Sequence, residues 1–219
     1  TRVINISAIT GFDSNNLMLS ALCTAAAQGT LTVVAAGNPL KANNCNSGTY
    51  IYPPSYNATG VCSNGANIKD SLLVVGATDN LNNLAEWNTS GNAQCSDIRY
   101  AEIFAPGKDI RGLNNDGTWS NKTGTSYASP IVAGAAALTW AAHPDLTAVE
   151  VHNRLLQNAS ILSATATAAN QFTSDSRMVG KRLLDVAQSI SAIDISKEYR
   201  LKSYWAFDFY INNQNGLQA

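Results

Sequence analysis

The sequence predicts an α/β protein built on a mainly parallel sheet flanked by helices. Three observations predict it. The strand candidates are continuous apolar runs, LTVVAA at 31–36 and LLVV at 72–75, the pattern of strands covered on both faces rather than of half-solvated strands, which alternate. Strand, helix, strand, loop, strand and then helices follow one another, the order of a parallel sheet with crossover connections. The chain opens as TRVINIS, without Met or leader, directly in a β-branched run. We therefore expect an upstream segment to have been removed.

Each element has its own local cause. Residues 3–6, VINI, are the first strand. Residues 15–28 carry Leu17, Met18, Ala21, Leu22, Ala25 and Ala26 at helical spacing, and Gly29 stops that helix. The strand LTVVAA ends at Gly37, and residues 39–68, rich in Asn, Gly, Pro and Ser, read as a long loop. LLVV is the third strand, and 80–96 is a second polar loop. Residues 102–105 and Ile110 are short strands around the Pro106-Gly107 turn. A helix is predicted over 127–142, with Pro130 in its first turn, where a missing N–H costs nothing. A second helix over 146–158 follows Pro144-Asp145, and a third covers 183–190.

Composition narrows the function classes. Charged residues make up only 13% of the 219, about half the ~25% of an ordinary soluble domain, so Asn, Ser, Thr and Gln must supply the polar surface. That pattern, with glycosylation sequons starting at Asn57, Asn88, Asn121 and Asn158, suits a secreted or periplasmic protein. The net charge is -1 without a basic stripe, which argues against a nucleic-acid partner. No apolar run reaches the roughly 18 residues of a membrane span. Cys23, Cys45, Cys62 and Cys95 show no CxxC spacing and no nearby His, so no zinc site is expected. Two disulfides in an oxidising compartment are expected, with buried free thiols as the alternative. Of three connectivities, Cys45–Cys62 is favoured as a staple of the loop over 43–67, leaving Cys23 joined to Cys95 or both free.

The stretch TGTSYASPIVAGAAAL, 123–138, places Ser126 at the start of a buried helix. Alone this is weak, because Ser is a common N-cap. Its company changes the reading. AAGN puts Asn38 just past a buried strand, where a side-chain amide can donate to an oxyanion, and the helix after Ser126 adds amide donors and a partial positive end. Acyl transfer needs that pairing of a nucleophile with preorganised donors. Ala128, Ala133, Gly134, Ala135 and Ala136 let the helix lie close on the sheet and hold the serine rigidly. A serine nucleophile also needs a base. The chain's two histidines, His143 and His152, both come after it.

These segments resemble those of subtilisin-like serine proteases. GTSYASPIVAG is similar to the family's serine motif, VVAAGN to its oxyanion segment and VINIS to the strand lining its substrate cleft. YIYPPSY with LLVVGATD, EIFAPGKDI, HPDLTAVEVHNRLLQNA and GKRLLDVAQSI follow in the family's order, so the resemblance covers residues 3 to about 190. It implies that 1–190 is the C-terminal portion of a subtilisin-like catalytic domain, with a sheet incomplete at the N-terminus; 191–219, with its aromatic run YWAFDFYI, lies outside the resemblance and is expected to be a tail or the start of a further segment. It implies Ser126 as nucleophile, with Asn38 and the Ser126 backbone N–H as oxyanion donors. Ser7 and Ala8 would lie on the strand that pairs with bound peptide, and Ala36 and Gly37 would form a wall of the primary specificity pocket. Ile9-Thr10 stand where the family has small glycines, which narrows that pocket. The substrate would be a peptide or protein, and no cofactor is required. Structural calcium is common in the family, but no loop here is acidic enough to name ligands.

The family's Asp and His belong to D-[ST]-G and H-G-T motifs, and neither occurs in this chain. The resemblance therefore implies a base carried by an upstream segment of the same protease. From Ser126 to His143 the chain is mostly helix, about 25 Å at 1.5 Å per residue, and His143 is expected to cap the HPDLT turn. His152 falls in a matched segment away from the cleft. The expected function is serine endopeptidase, with this stretch inactive on its own. A catalytically inactive subtilase-like binding or structural module is the alternative, and the intact Ser126 and Asn38 favour the enzyme. A lipase-like hydrolase would need a G-x-S-x-G elbow, which is missing.

Overall fold

The computed structural model describes residues 1–191 apart from 12, 47–50, 66, 90 and 166–169. Residues 192–219, and with them YWAFDFYI, lie outside the described residues. In chain order the elements are β1 (Val3–Ile6), α1 (Leu17–Ala27), β2 (Leu31–Ala35), α2 (Tyr56–Thr59), β3 (Leu72–Thr78), β4 (Glu86–Thr89), β5 (Asn92–Cys95), β6 (Ile103–Pro106), β7 (Ile110–Leu113), β8 (Trp119–Lys122), α3 (Thr125–Ala142), α4 (Ala148–Gln157), β9 (Ser160–Ser163), β10 (Asn170–Phe172), β11 (Arg182–Leu183) and α5 (Val186–Ile190). A seven-stranded sheet runs in the order β1-β2-β3-β6-β11-β9-β10. All its pairs are parallel except β11 with β9.

The apolar runs are continuous because both faces of the sheet are covered. Leu31, Val33, Leu73, Val75 and Ala77 share one cluster with Ala128, Val132, Ala135 and Trp140 of α3 and with Val151 and Leu155 of α4. The alternate residues Val34, Leu72 and Val74 point the other way, onto Leu22 of α1 and Tyr56 of α2. β2 and β3 are buried along their whole length. The approach of α3 is close. A Cβ added at Gly107, in the turn after β6, would come within 2.6 Å of the Ala77 Cβ and 3.1 Å of the Ala128 Cβ. Helix ends are closed by side chains. Asp13 accepts from the Met18 and Leu19 amides at the head of α1 and from the Tyr56 hydroxyl. Thr147 and Glu150 form a capping box on α4.

The structure corrects several expectations. Helix α3 begins at Thr125 rather than 127, because a tertiary contact described below caps its first amide. Pro130 is thus in the second turn, where its missing N–H does leave a carbonyl without its helical donor. The 80–96 stretch is not a plain loop. It folds as the β4–β5 hairpin, with Gly91 at φ 82 in the turn and Trp87 Nε1 donating to Gln94 Oε1 at 3.0 Å. Its Asn- and Gln-rich strands have poor β propensity, which hid them. Likewise β8 pairs with β7 across a turn where Gly117 has φ 81. The expected helix over 183–190 starts only at Val186, because Asp185 caps it by accepting from the Gln188 amide.

The disulfides also differ from the expectation. They are Cys23–Cys62 and Cys45–Cys95, not Cys45–Cys62. The loop does not close on itself. Cys62 meets Cys23 on α1. Cys45 is turned toward β5, where the Cys95 amide donates to Pro39 O and the Ile98 amide to Cys45 O, both at 3.1 Å.

Candidate active site

Three segments converge beyond the carboxyl ends of β1 and β2, where parallel sheets place their sites. β1 runs on into Ser7 and Ala8, β2 runs on into Ala36, Gly37 and Asn38, and the head of α3 brings Ser126. Ser126 is half-buried. Its Oγ donates to Ser7 O at 3.1 Å, while Ser7 Oγ donates to Ser126 O at 2.9 Å. As the second residue of α3, Ser126 has an N–H with no acceptor inside the helix.

Asn38 is held from one side. Its Oδ1 accepts from the Thr125 amide at 3.0 Å and from Thr125 Oγ1 at 2.9 Å. Thr125 is fully buried, and its Oγ1 in turn accepts from the Gly37 amide at 3.1 Å. With the carbonyl end of the Asn38 side chain fixed, the Nδ2 end is the one presented at the helix head. Gly124 makes room for it. It has φ 146, and a Cβ there would lie 3.3 Å from Asn38 Nδ2. The Gly124 amide donates to Gly107 O at 2.8 Å, so this backbone is anchored to the turn after β6.

The other residues singled out in the sequence fall around this centre. Ala8 is exposed beside Ser7, and Ile9 is 47% exposed. Thr10 forms an antiparallel bridge with Tyr52, with reciprocal backbone bonds of 2.9 Å. Ala36 is fully buried against the α1 side, and Gly37 is buried, its carbonyl accepting from the Asp97 amide at 2.9 Å.

Both histidines are far from Ser126. His143 is the C-cap of α3, at the other end of the helix. Burial, then the nearby Arg154 charge, lowers its pKa from the ordinary value. His152 is 2% exposed on α4, with Nε2 3.7 Å from Glu102 Oε2 just before β6, at the amino ends of the strands. Among the described residues no three His, Cys, Asp or Glu side chains gather as a metal would require, and no helix is long and apolar enough to cross a membrane. Sequence reasoning gave Thr125 no role of its own, although it directly precedes Ser126 in the motif, and it missed Asn5 and Ser129. Asn5 Oδ1 accepts from Ser129 Oγ at 2.7 Å, and Asn5 Nδ2 donates to Ser7 Oγ at 3.0 Å.

Comparison with known proteins bears on this arrangement. The sequence model of the subtilase family matches residues 1–181. The chain is 34% identical to subtilisin DY of Bacillus licheniformis over 184 residues, covering 84% of this chain and 55% of that protein. It is 29% identical to a subtilisin of Bacillus pumilus over 163 residues, 74% of this chain and 51% of that protein. It is 32% identical to subtilisin Savinase of Lederbergia lenta over 145 residues, 66% of this chain and 44% of that protein. The chain spans about half the length of the curated relatives it matches.

Proposed function

The chain belongs to the subtilase family, and on that premise we propose that it carries the nucleophile and oxyanion donors of a serine endopeptidase acting on peptides or proteins. Ser126 Oγ attacks the scissile carbonyl carbon as its proton passes to a base. The base is a His, oriented by an Asp, on an upstream segment of the same protease. Asn38 Nδ2 and the Ser126 N–H receive the developing oxyanion. Collapse expels the amine with that proton and leaves an acyl ester on Ser126, which water then hydrolyses. The reaction uses protein groups alone and needs no cofactor. Substrate backbone lies along Ser7 and Ala8, beside the wall formed by Ala36 and Gly37. Two disulfides and a low charge content support a secreted or periplasmic setting.

One observation carries the proposal: the double Thr125 tether on Asn38 Oδ1, which leaves the Asn38 amide nitrogen at the head of the helix that bears Ser126. The test uses the complete protein that contains this chain. A fluorophosphonate probe should label Ser126, and Ser126→Ala should abolish both labelling and peptide turnover. Asn38→Ala should lower kcat by about 10²–10³ with little change in KM, the loss known for one oxyanion donor in a subtilisin. No labelling and no turnover in the complete protein would favour a non-catalytic binding module. Rapid labelling of the isolated 219-residue chain would refute a base supplied from outside it.

A further inference from the structure

We infer that the hydroxyl of Ser7, aimed by the side-chain amide of Asn5, replaces the helical hydrogen bond that Pro130 cannot make and thereby fixes the backbone of Ser126. In an unbroken α-helix the carbonyl of residue 126 accepts from the amide of residue 130. Pro130 has no N–H, and its ring crowds that carbonyl. The carbonyl is instead taken from outside the helix, by Ser7 Oγ at 2.9 Å.

The donor is oriented through a closed circuit. A serine hydroxyl can donate or accept. Asn5 Nδ2 donates to Ser7 Oγ at 3.0 Å, so the Ser7 proton is directed onto Ser126 O. Asn5 is in turn oriented by Ser129 Oγ, which donates to its Oδ1 at 2.7 Å. Ser129 is fully buried. The hydrogen bonds therefore leave α3 at Ser129, pass through Asn5 and Ser7, and return to α3 at Ser126. Asn5 is exposed on β1, yet both ends of its amide are engaged. Ser7 thus has two separate roles. Its carbonyl, which accepts from Ser126 Oγ, lies on the proposed substrate strand. Its hydroxyl is a positioning group for the nucleophile.

A double-mutant cycle tests this, and only its kinetic readout rests on the peptidase reading. Ser7→Ala removes the donor but keeps the backbone. Pro130→Ala supplies an N–H that can take the Ser126 carbonyl. In the complete protein, Ser7→Ala should lower kcat about tenfold with KM within about twofold, and in the Pro130→Ala background it should lower kcat less than about twofold. Melting the same four proteins gives a readout independent of turnover. Ser7→Ala should lower Tm, and less than half as much when residue 130 is Ala. Asn5→Ala should act in the same direction and add little to Ser7→Ala. Effects that simply add in Tm overturn the inference, whatever the activity. Coupling in Tm with no turnover by the parent supports the clamp and counts against the peptidase reading.

Discussion

Replacing Thr125 by Val keeps the shape of a fully buried side chain and deletes one hydroxyl. That hydroxyl is bonded on two sides, accepting from the Gly37 amide and donating to Asn38 Oδ1. The first loss leaves a buried N–H without an acceptor, which costs about 1–3 kcal/mol. The second removes one of the two donors on Asn38, which costs about 1 kcal/mol more. For a chain of this size about 1 kcal/mol moves Tm by roughly 2–4 °C, so Thr125→Val, at about 2–4 kcal/mol in all, should melt roughly 4–16 °C lower. Circular dichroism during heating reads that shift. The effect on kcat should be smaller than deleting the proposed oxyanion donor, about tenfold, because the Thr125 amide still holds Asn38 Oδ1. Thr125→Ser keeps both bonds and should restore kcat. A variant that melts lower with unchanged kcat would refute the claim that this hydroxyl aims Asn38. An unchanged Tm would refute the claim that Gly37 depends on it.

Gly124→Ala forces a residue at φ 146 to accept a side chain against Asn38 Nδ2. It should cost about 1–3 kcal/mol in chemical unfolding and lower kcat more than it raises KM. Replacing Cys45 and Cys95 together by Ser opens a link that closes a separation of 50 residues. The chain-entropy estimate values this at about 4 kcal/mol, read by guanidinium unfolding without reductant. The Arg177 hydrogen bond, opposed by burial, holds the Asp175 carboxyl below its ordinary 3.8. Its stabilisation is complete above that value and is lost as pH falls through the lower folded value. Arg177→Met should therefore flatten the acid limb of stability against pH. A limb as steep as the parent's would contradict the pairing.

How much could be read from the sequence depended on whether the cause was local. β2 and β3 were legible because burial on both faces writes itself as an unbroken apolar run. That Asn38 meets the head of the helix bearing Ser126 was legible because the small-residue surroundings of both form motifs. The start of α3 was not, since Asn38, distant in sequence, caps the Thr125 amide. The β4–β5 hairpin was hidden by polar strands whose pairing rests on Gly91 and the contact between Trp87 and Gln94. The disulfide pairing failed because sequence proximity favoured Cys45 with Cys62, whereas the topology brings Cys62 to α1 and Cys45 to β5. Asn5 was passed over because a polar residue on a strand reads as ordinary surface until its partners are known.

The two disulfides cross, since Cys23–Cys62 spans Cys45 and Cys45–Cys95 spans Cys62. A single backbone cut anywhere from Cys23 to Cys95 therefore leaves both pieces covalently joined. That interval includes Asn38 and the Asn-, Gly- and Ser-rich stretch after it, the kind of segment proteases nick first. For a protein proposed to work among peptidases, other copies of itself included, damage to this stretch does not release a fragment. The flanking strands β2 and β3 keep both halves seated in one sheet. Such a molecule would run at full length on a non-reducing gel and come apart only when reduced.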